Sequence, residues 1–430
     1  MQKPSPRSTD IGPLLPIYLV IFVAFIGYAM MVNFFVPLLM HDHGFLSVTA
    51  STAQRTTAVG ILLAIYPLGQ FFGSPILGAL SDRYGRKPIL LVSLAIAVIC
   101  YAIIAIAIQE RNLILLGFAC LIGGLSESNI AIAQSAVADV AQPDDRGRLF
   151  AYIYTACSLG YISGPLIGGQ VVVHAGFSAP FWGVVVLLAV AIVWTLIAFR
   201  ETHPADRSRA LDYRSTMMNL TKVFTDRPIR RLYLINFIFY LTIFGFFRVI
   251  LIYMADKWHM LAHQSGIYYS YFSAMSLVAS LFVAGPLLRS VNLKTVAISS
   301  AVLAGVLMWI VVLPQSRYFL WVTAGPCCLI ATLTLASCAA LLSNSVAPER
   351  QGSVMGNNQA LQVGAEAAGA LLGGLLAAVV VTLPLLAFGA LLLLGGLMLI
   401  PVRPPVAAQA VPKASTRVSS TSIPSIPTLE

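Results

Sequence analysis

Charge is scarce in this sequence. Only 10% of its 430 residues are Asp, Glu, Lys or Arg, against about a quarter in soluble domains, which excludes an ordinary water-soluble globular protein. A phosphate-cradling G-x-x-x-x-G-K-[ST] loop is also missing, so nucleotide hydrolysis within this chain is excluded as an energy source. Cysteine is sparse and poorly placed for covalent or metal chemistry. Cys100, Cys120, Cys157, Cys327, Cys328 and Cys338 all lie in apolar runs, with neither the context of a secreted disulfide framework nor the spacing of a zinc site. Segments of about 10 residues with alternating polarity do not recur, which excludes a membrane β-barrel.

What the chain has in quantity is apolar length. It is 58% hydrophobic with a mean hydropathy of +0.86, and runs of about 20 apolar residues recur from end to end, each able to cross a hydrocarbon core of roughly 30 Å as a helix. The expected fold is an all-α integral membrane protein of about twelve transmembrane helices. The first six are Leu14 to Met40, Thr57 to Leu80, Pro88 to Ile108, Leu113 to Val140, Leu149 to Val173 and Pro180 to Phe199. The second six are Leu232 to Met254, Gly266 to Leu288, Thr295 to Leu313, Tyr318 to Val346, Ser353 to Val380 and Leu383 to Val402. The first run is longer than the apolar region of a signal peptide and no small-residue cleavage site follows it, so it is read as a retained helix.

The net charge of +10 comes from cations gathered on alternate loops, a topology signal rather than a nucleic-acid surface. With both termini in the cytoplasm, Lys3, Arg7, Arg83, Arg86, Lys87, Arg146, Arg148, Lys222, Arg289, Lys294 and Arg350 fall inside, and Arg55, Arg111, Lys257 and Arg317 fall outside. That asymmetry is what the positive-inside rule demands, and it requires an even number of spans. The polar stretch 200–231 reads as a cytoplasmic linker with a helix-compatible segment at Ser215 to Phe224. It divides an N-terminal six-helix bundle, residues 1–199, from a C-terminal one, residues 232–402. Residues 403–430, rich in Pro, Ser, Thr and Ala, read as a disordered cytoplasmic tail.

The halves repeat. Pro143-Asp-Asp-Arg-Gly147 aligns with Pro348-Glu-Arg-Gln-Gly352, and Gly164-Pro-Leu-Ile-Gly-Gly169 with Gly369-Ala-Leu-Leu-Gly-Gly374, both at an offset of 205. A fainter match sets Gly78 to Lys87 on Gly285 to Lys294 at an offset of 207. Near-constant offsets are the mark of duplicated units, and in membranes such halves build a substrate site at the midplane between them.

The densest motif is the loop Gly78-Ala-Leu-Ser-Asp82-Arg83-Tyr-Gly85-Arg86-Lys87 between the second and third spans. It resembles the signature loop of the major facilitator superfamily, and the likeness extends over the helical region from Leu14 to Val402. Ala138-Asp139, Pro143-x-x-Arg146-Gly147 and Gly160-x-x-x-Gly164-Pro165-x-x-Gly168-Gly169 resemble the twelve-span drug/proton antiporter branch, which includes the tetracycline exporters. The resemblance implies two six-helix pseudo-repeat bundles that rock about a central site, in a bacterial inner membrane. It implies that Asp82 latches onto the N-terminus of the helix starting near Ser353, where the dipole favours an anion. Arg83, Arg86 and Lys87 would meet Asp139 and phospholipid headgroups. The alternative is that the loop acts only as a positive topology signal. Glycines four apart allow close helix approach and Pro165 breaks one backbone hydrogen bond, which suits a gate helix and equally suits plain packing. One position departs from the branch: Cys120 stands where it usually carries an arginine, so that residue's coupling role does not carry over.

Three ionisable residues lie deep in spans: Glu127, Arg248 and Glu366. Charges there are costly and mark function by default. Glu127 is the first choice for a proton carrier, because burial disfavours a carboxylate's charged form, and Glu366 is the second. The superfamily's arrangement would set Glu127 across the cavity from Arg248. Arg248 would grip an anionic group bidentately, or the two would form an internal ion pair without a ligand. Asn33, Asn129, Gln134, Tyr240 and Gln362 complete the expected substrate-binding set. Glu127 and Gln134 are taken to share one face, as are Gln362 and Glu366. His41-Asp42-His43 reads as a solvated turn and no metal or other cofactor is expected. The expected function is proton-coupled secondary transport, export favoured, of a small amphipathic molecule, by a monomer whose partners are substrate, protons and membrane lipid. An anionic metabolite such as a carboxylate siderophore is the alternative cargo. A membrane-embedded enzyme and a non-transporting sensor are the distant alternatives.

Overall fold

The computed structural model describes residues 12–402 apart from 42–43, 128, 204 and 206–228. Among the described residues the chain is helical without strands. The helices are α1 (Leu15–His41), α2 (Thr52–Tyr84), α3 (Arg86–Gln109), α4 (Leu113–Ser126), α5 (Asn129–Val140), α6 (Pro143–Ala175) and α7 (Ala179–Ala198). After the linker come α8 (Arg230–Trp258), α9 (Ala262–Val278), α10 (Ala284–Ser290), α11 (Leu293–Ile310), α12 (Leu320–Asn344), α13 (Pro348–Val379) and α14 (Leu383–Leu399). Among the described residues eleven segments are long and apolar enough to cross a membrane, and α14 is a shorter apolar helix that matches the expected twelfth span. The proposed linker helix at 215–224 and the tail 403–430 lie outside the described residues.

Two predicted spans are interrupted. The fourth, expected as one helix from Leu113 to Val140, is split into α4 and α5 at Glu127. The eighth carries a five-residue π-helical stretch, Ala279–Val283, between α9 and α10. π-bulges of this kind recur at functional sites.

The repeat seen in the sequence is also a repeat of packing. In the first half α1 packs on α6, α2 on α4, and α3 on both α4 and α7, with α1 also on α7. In the second half the equivalent pairs are α8 on α13, α9 on α12, and α11 on both α12 and α14, with α8 also on α14. The halves join through α2 with α13 and α6 with α9, with smaller contacts of α1 on α8 and α9.

The closest approach at that junction lies toward one face. We call the face bearing Gly78 to Lys87 the signature face. Toward the opposite face, Gly60 and Gly374 meet backbone to backbone, so that a Cβ on Gly60 would sit 2.7 Å from the Gly374 Cα. Nearby, Asn33 Nδ2 donates to the Ala262 carbonyl at 3.1 Å and Ser270 Oγ to that of Ile162 at 2.6 Å. Toward the signature face no such close glycine contact recurs: a Cβ on Gly78, Gly352 or Gly356 would meet nothing within 4 Å. The gate-helix glycines divide accordingly. Gly160, Gly164 and Gly168 lie against α1, Gly169 against His263 of α9, and the Pro165 carbonyl approaches Gly266.

Only glycine permits the approach at Gly60 and Gly374, so Gly374→Leu should pry the halves apart at that face. A cysteine introduced at Ser273 should then react with an impermeant maleimide from both sides of the membrane, whereas in the parent it should react from the signature side alone.

Candidate functional site

Near the middle of α8 and α13, Arg248 and Glu366 form an ion pair, 3% and 6% exposed. Tyr28 of α1 completes the group from the other half, donating to Glu366 Oε1 at 2.5 Å while accepting from Arg248 Nη2 at 2.6 Å. Arg248 Nη1 donates to the Phe244 carbonyl at 3.2 Å. The group borders a cavity of about 200 Å³. Its walls come from both halves: Ser158 and Tyr161 of α6, Ile243, Phe244 and Phe247 of α8, Tyr269, Ser273 and Ser276 of α9, and Thr332 and Leu335 of α12.

Glu127 occupies a different place. It does not face Arg248 across the cavity as expected, and the partner of Arg248 is Glu366. Instead Glu127 accepts a hydrogen bond from Tyr66 of α2, inside the first half, and among the described residues no cation pairs with it. Its position follows from the break between α4 and α5. Where a helix stops inside a membrane its carbonyls need other donors, and neighbouring helices supply them. Ser93 Oγ of α3 donates to the Ser126 carbonyl at 2.6 Å, and Ser74 Oγ of α2 lies 3.3 Å from the Glu127 carbonyl.

The two buried acids are nonetheless connected. Tyr66, which holds Glu127, and Tyr28, which holds Glu366, have ring centroids 5.1 Å apart. Tyr28 stands out in the sequence only as one of several aromatics that could border a cavity, and Tyr66, flanked by apolar residues, does not stand out at all.

The remaining expected binding residues do not line the cavity. Asn33 is tied to Ala262, and Asn129 Oδ1 lies 3.2 Å from Ser93 Oγ inside the first half. Tyr240 accepts from Asn358 at 2.8 Å, and Gln134, whose helical phase is reset by the break after Glu127, donates to Tyr154 at 3.2 Å. Gln362 is half-buried on α13 outside the lining. Cys120, in place of the branch's arginine, is fully buried in the apolar core. His41 Nε2 lies 3.1 Å from the Ala255 carbonyl, and Asp42 and His43 lie outside the described residues.

At the signature loop, Arg86 is the centre. It is 2.5 Å from Asp82 and 3.2 Å from Asp139, and it also donates to Ser81 Oγ at 2.7 Å. Arg83 lies over the Tyr84 ring and Lys87 donates to the Leu196 carbonyl, so neither meets Asp139 as expected. The helix expected near Ser353 begins earlier, at Pro348. The side chain of Arg146 lies outside the described residues. Glu201, not anticipated from the sequence, accepts from the backbone N–H groups of Arg86 and Lys87 at 2.8 and 3.0 Å. It thereby caps the N-terminus of α3 with a negative charge, the sign a helix dipole favours there. Gly85 makes the turn possible at φ 99°, a conformation side chains resist.

A cavity between two repeated helical bundles, bordered by a buried ion pair, is the arrangement of a small-molecule transporter. The sequence model of the Major Facilitator Superfamily matches residues 17–248 and again 232–427, and the chain belongs to that superfamily. Tetracycline resistance protein, class C, of Escherichia coli is 28% identical over 312 residues, covering 70% of this chain and 75% of that protein. The class G protein of Vibrio anguillarum is 29% identical over 304 residues, covering 69% and 75%. Among solved structures, the human organic anion transporter MFSD10 (TETRAN) has a TM-score of 0.69 at 19% identity over 93% of this chain and 100% of that one. At that identity the likeness shows the fold.

Ser93 keeps the break in the fourth span satisfied. Ser93→Ala should leave a buried carbonyl unpaired at a cost of about 1–3 kcal/mol, seen as a lower unfolding temperature in detergent, while Ser93→Thr should retain most of the stability.

Proposed function

We propose that this protein is a proton-coupled exporter of small amphipathic organic molecules, working by rocking of its two six-helix bundles about the central cavity, with the signature face in the cytoplasm. The observation that carries this reading is the Tyr66–Tyr28 contact between the two buried acids. One acid belongs to the first half and has no cation partner among the described residues; the other is paired with Arg248 at the cavity wall. A carboxylate buried without a counter-charge is best accommodated when protonated, so Glu127 is the proton carrier, and the two tyrosines relate its charge state to the group that meets cargo.

Other features agree. Apolar and aromatic walls suit an amphipathic cargo. A cavity closed at the face opposite the signature loop is the loading state of an exporter whose signature face is cytoplasmic. The relatives' printed function, tetracycline resistance, fits extrusion of such compounds. The network around Arg86 holds the second, third and fourth spans and the linker together, so that the first bundle moves as a body. The monomer suffices, because both halves of the site lie on one chain, and lipid headgroups meet the half-buried Arg83 and Lys87 of the loop.

The test is transport by the purified protein in proteoliposomes under an imposed protonmotive force, with tetracycline, ethidium and naphthylalanine as probes. Driven movement of at least one, with protons moving the opposite way, supports the reading; no driven movement of any of them counts against it. Glu127→Gln should abolish driven accumulation while leaving exchange of labelled for unlabelled probe intact. Unchanged driven transport in that variant would remove Glu127 from the mechanism.

A further inference from the structure

The guanidinium of Arg248 is only partly used. Nη2 serves Glu366 and Tyr28 and Nη1 serves Phe244, but the buried Nε has no partner. Ser276 Oγ, from a second residue bordering the same cavity, is also buried without a partner. Two unmatched donors at one cavity point to an acceptor that comes from outside the protein. A carboxylate answers both, because it can take two parallel N–H groups from one guanidinium edge. The Nε and Nη2 edge is occupied on the Nη2 side alone.

Charge balance then fixes the rest of the ligand. Drawing Arg248 onto an incoming anion strips Glu366 of its counter-charge, and breaking a buried pair that way is strongly unfavourable. A ligand carrying only a cation leaves Arg248 stranded instead. A ligand bearing both charges replaces each partner and keeps the site neutral. Glu366 is ready for this exchange: both contacts fall on Oε1, and among the described residues no donor reaches Oε2. Phe244 and Phe247 on the same wall offer flat apolar surface.

We propose that the cavity binds an amphipathic zwitterion, its acidic group on Arg248 and Ser276, its amine on Glu366, and its aromatic body against Phe244 and Phe247. The assignment rests on the exporter reading and names its cargo class. The cargo crosses without net charge, so the proton on Glu127 is the sole charge that the cycle returns.

The test uses the full chain in detergent and three probes of one shape. Naphthylalanine carries both charges, its methyl ester only the cation, and its N-acetyl form only the anion. By titration calorimetry the zwitterion should bind about 10-fold or more tightly than either blocked form, which is about 1.4 kcal/mol, without net proton uptake or release. Ser276→Ala should weaken the zwitterion and the N-acetyl form and spare the ester. Glu366→Gln should erase the preference over the N-acetyl form. An ester or N-acetyl form that binds as tightly as the zwitterion overturns the proposal, and this readout needs no variant to fold. Gradient-driven transport of tetracycline or ethidium without the zwitterion preference would sink this assignment alone. The preference without any driven flux would uphold the site and sink coupled export.

Discussion

The contact on which the arrangement depends is the buried pair of Arg248 and Glu366, met from the opposite bundle by Tyr28. In a medium that cannot solvate charge, each member needs the other, and neither can be removed without stranding its partner. Two helices of the second half are thereby fastened together, and one hydroxyl from the first half is fastened to both. A buried pair adds little to stability when set against apolar residues of similar volume. Its place beside a cavity accounts for it better, since there a ligand can substitute for either partner.

The same scarcity of solvation explains the fourth span. A helix can stop inside a membrane only where side chains take over its unpaired backbone groups. Ser74 and Ser93 do so from two neighbouring helices, and the stop sets Glu127 against Tyr66. Because the Tyr66 and Tyr28 rings touch, the acid of one half and the paired acid of the other are linked by a ring contact between the tyrosines that hold them. Movement of the halves must stretch or break that linkage where it crosses between them, which is how a charge change on one side would be felt on the other.

The signature loop is a structural hub built on the same economy. Arg86 is shared between Asp82 and Asp139, and Glu201 closes the start of α3 from the first residues of the linker. The bonds of Arg86 and the backbone of Lys87 run within the first half and to the chain that leads out of it. The connection to the second half is thus anchored at the point where the second, third and fourth spans converge.

How much of this the sequence determined follows from what kind of information each feature needs. Membrane insertion, the spans, the duplicated halves and the resemblance carried by Gly78 to Lys87 depend on local hydropathy, charge and spacing, all readable along one dimension. So were the three buried charges, because an ionisable residue in an apolar run is conspicuous wherever it points. Which of them pair was not. Tyr28 and Glu366 are separated by 338 positions, and their meeting depends on the rotation and tilt of helices packed against many others. The expectation that placed Glu127 opposite Arg248 had the right residues and the wrong partner for that reason. The break at Glu127 was equally hidden, since Leu113 to Val140 is continuous in hydropathy. Only the tertiary structure, by bringing serine hydroxyls to the freed carbonyls, decides that the helix stops there.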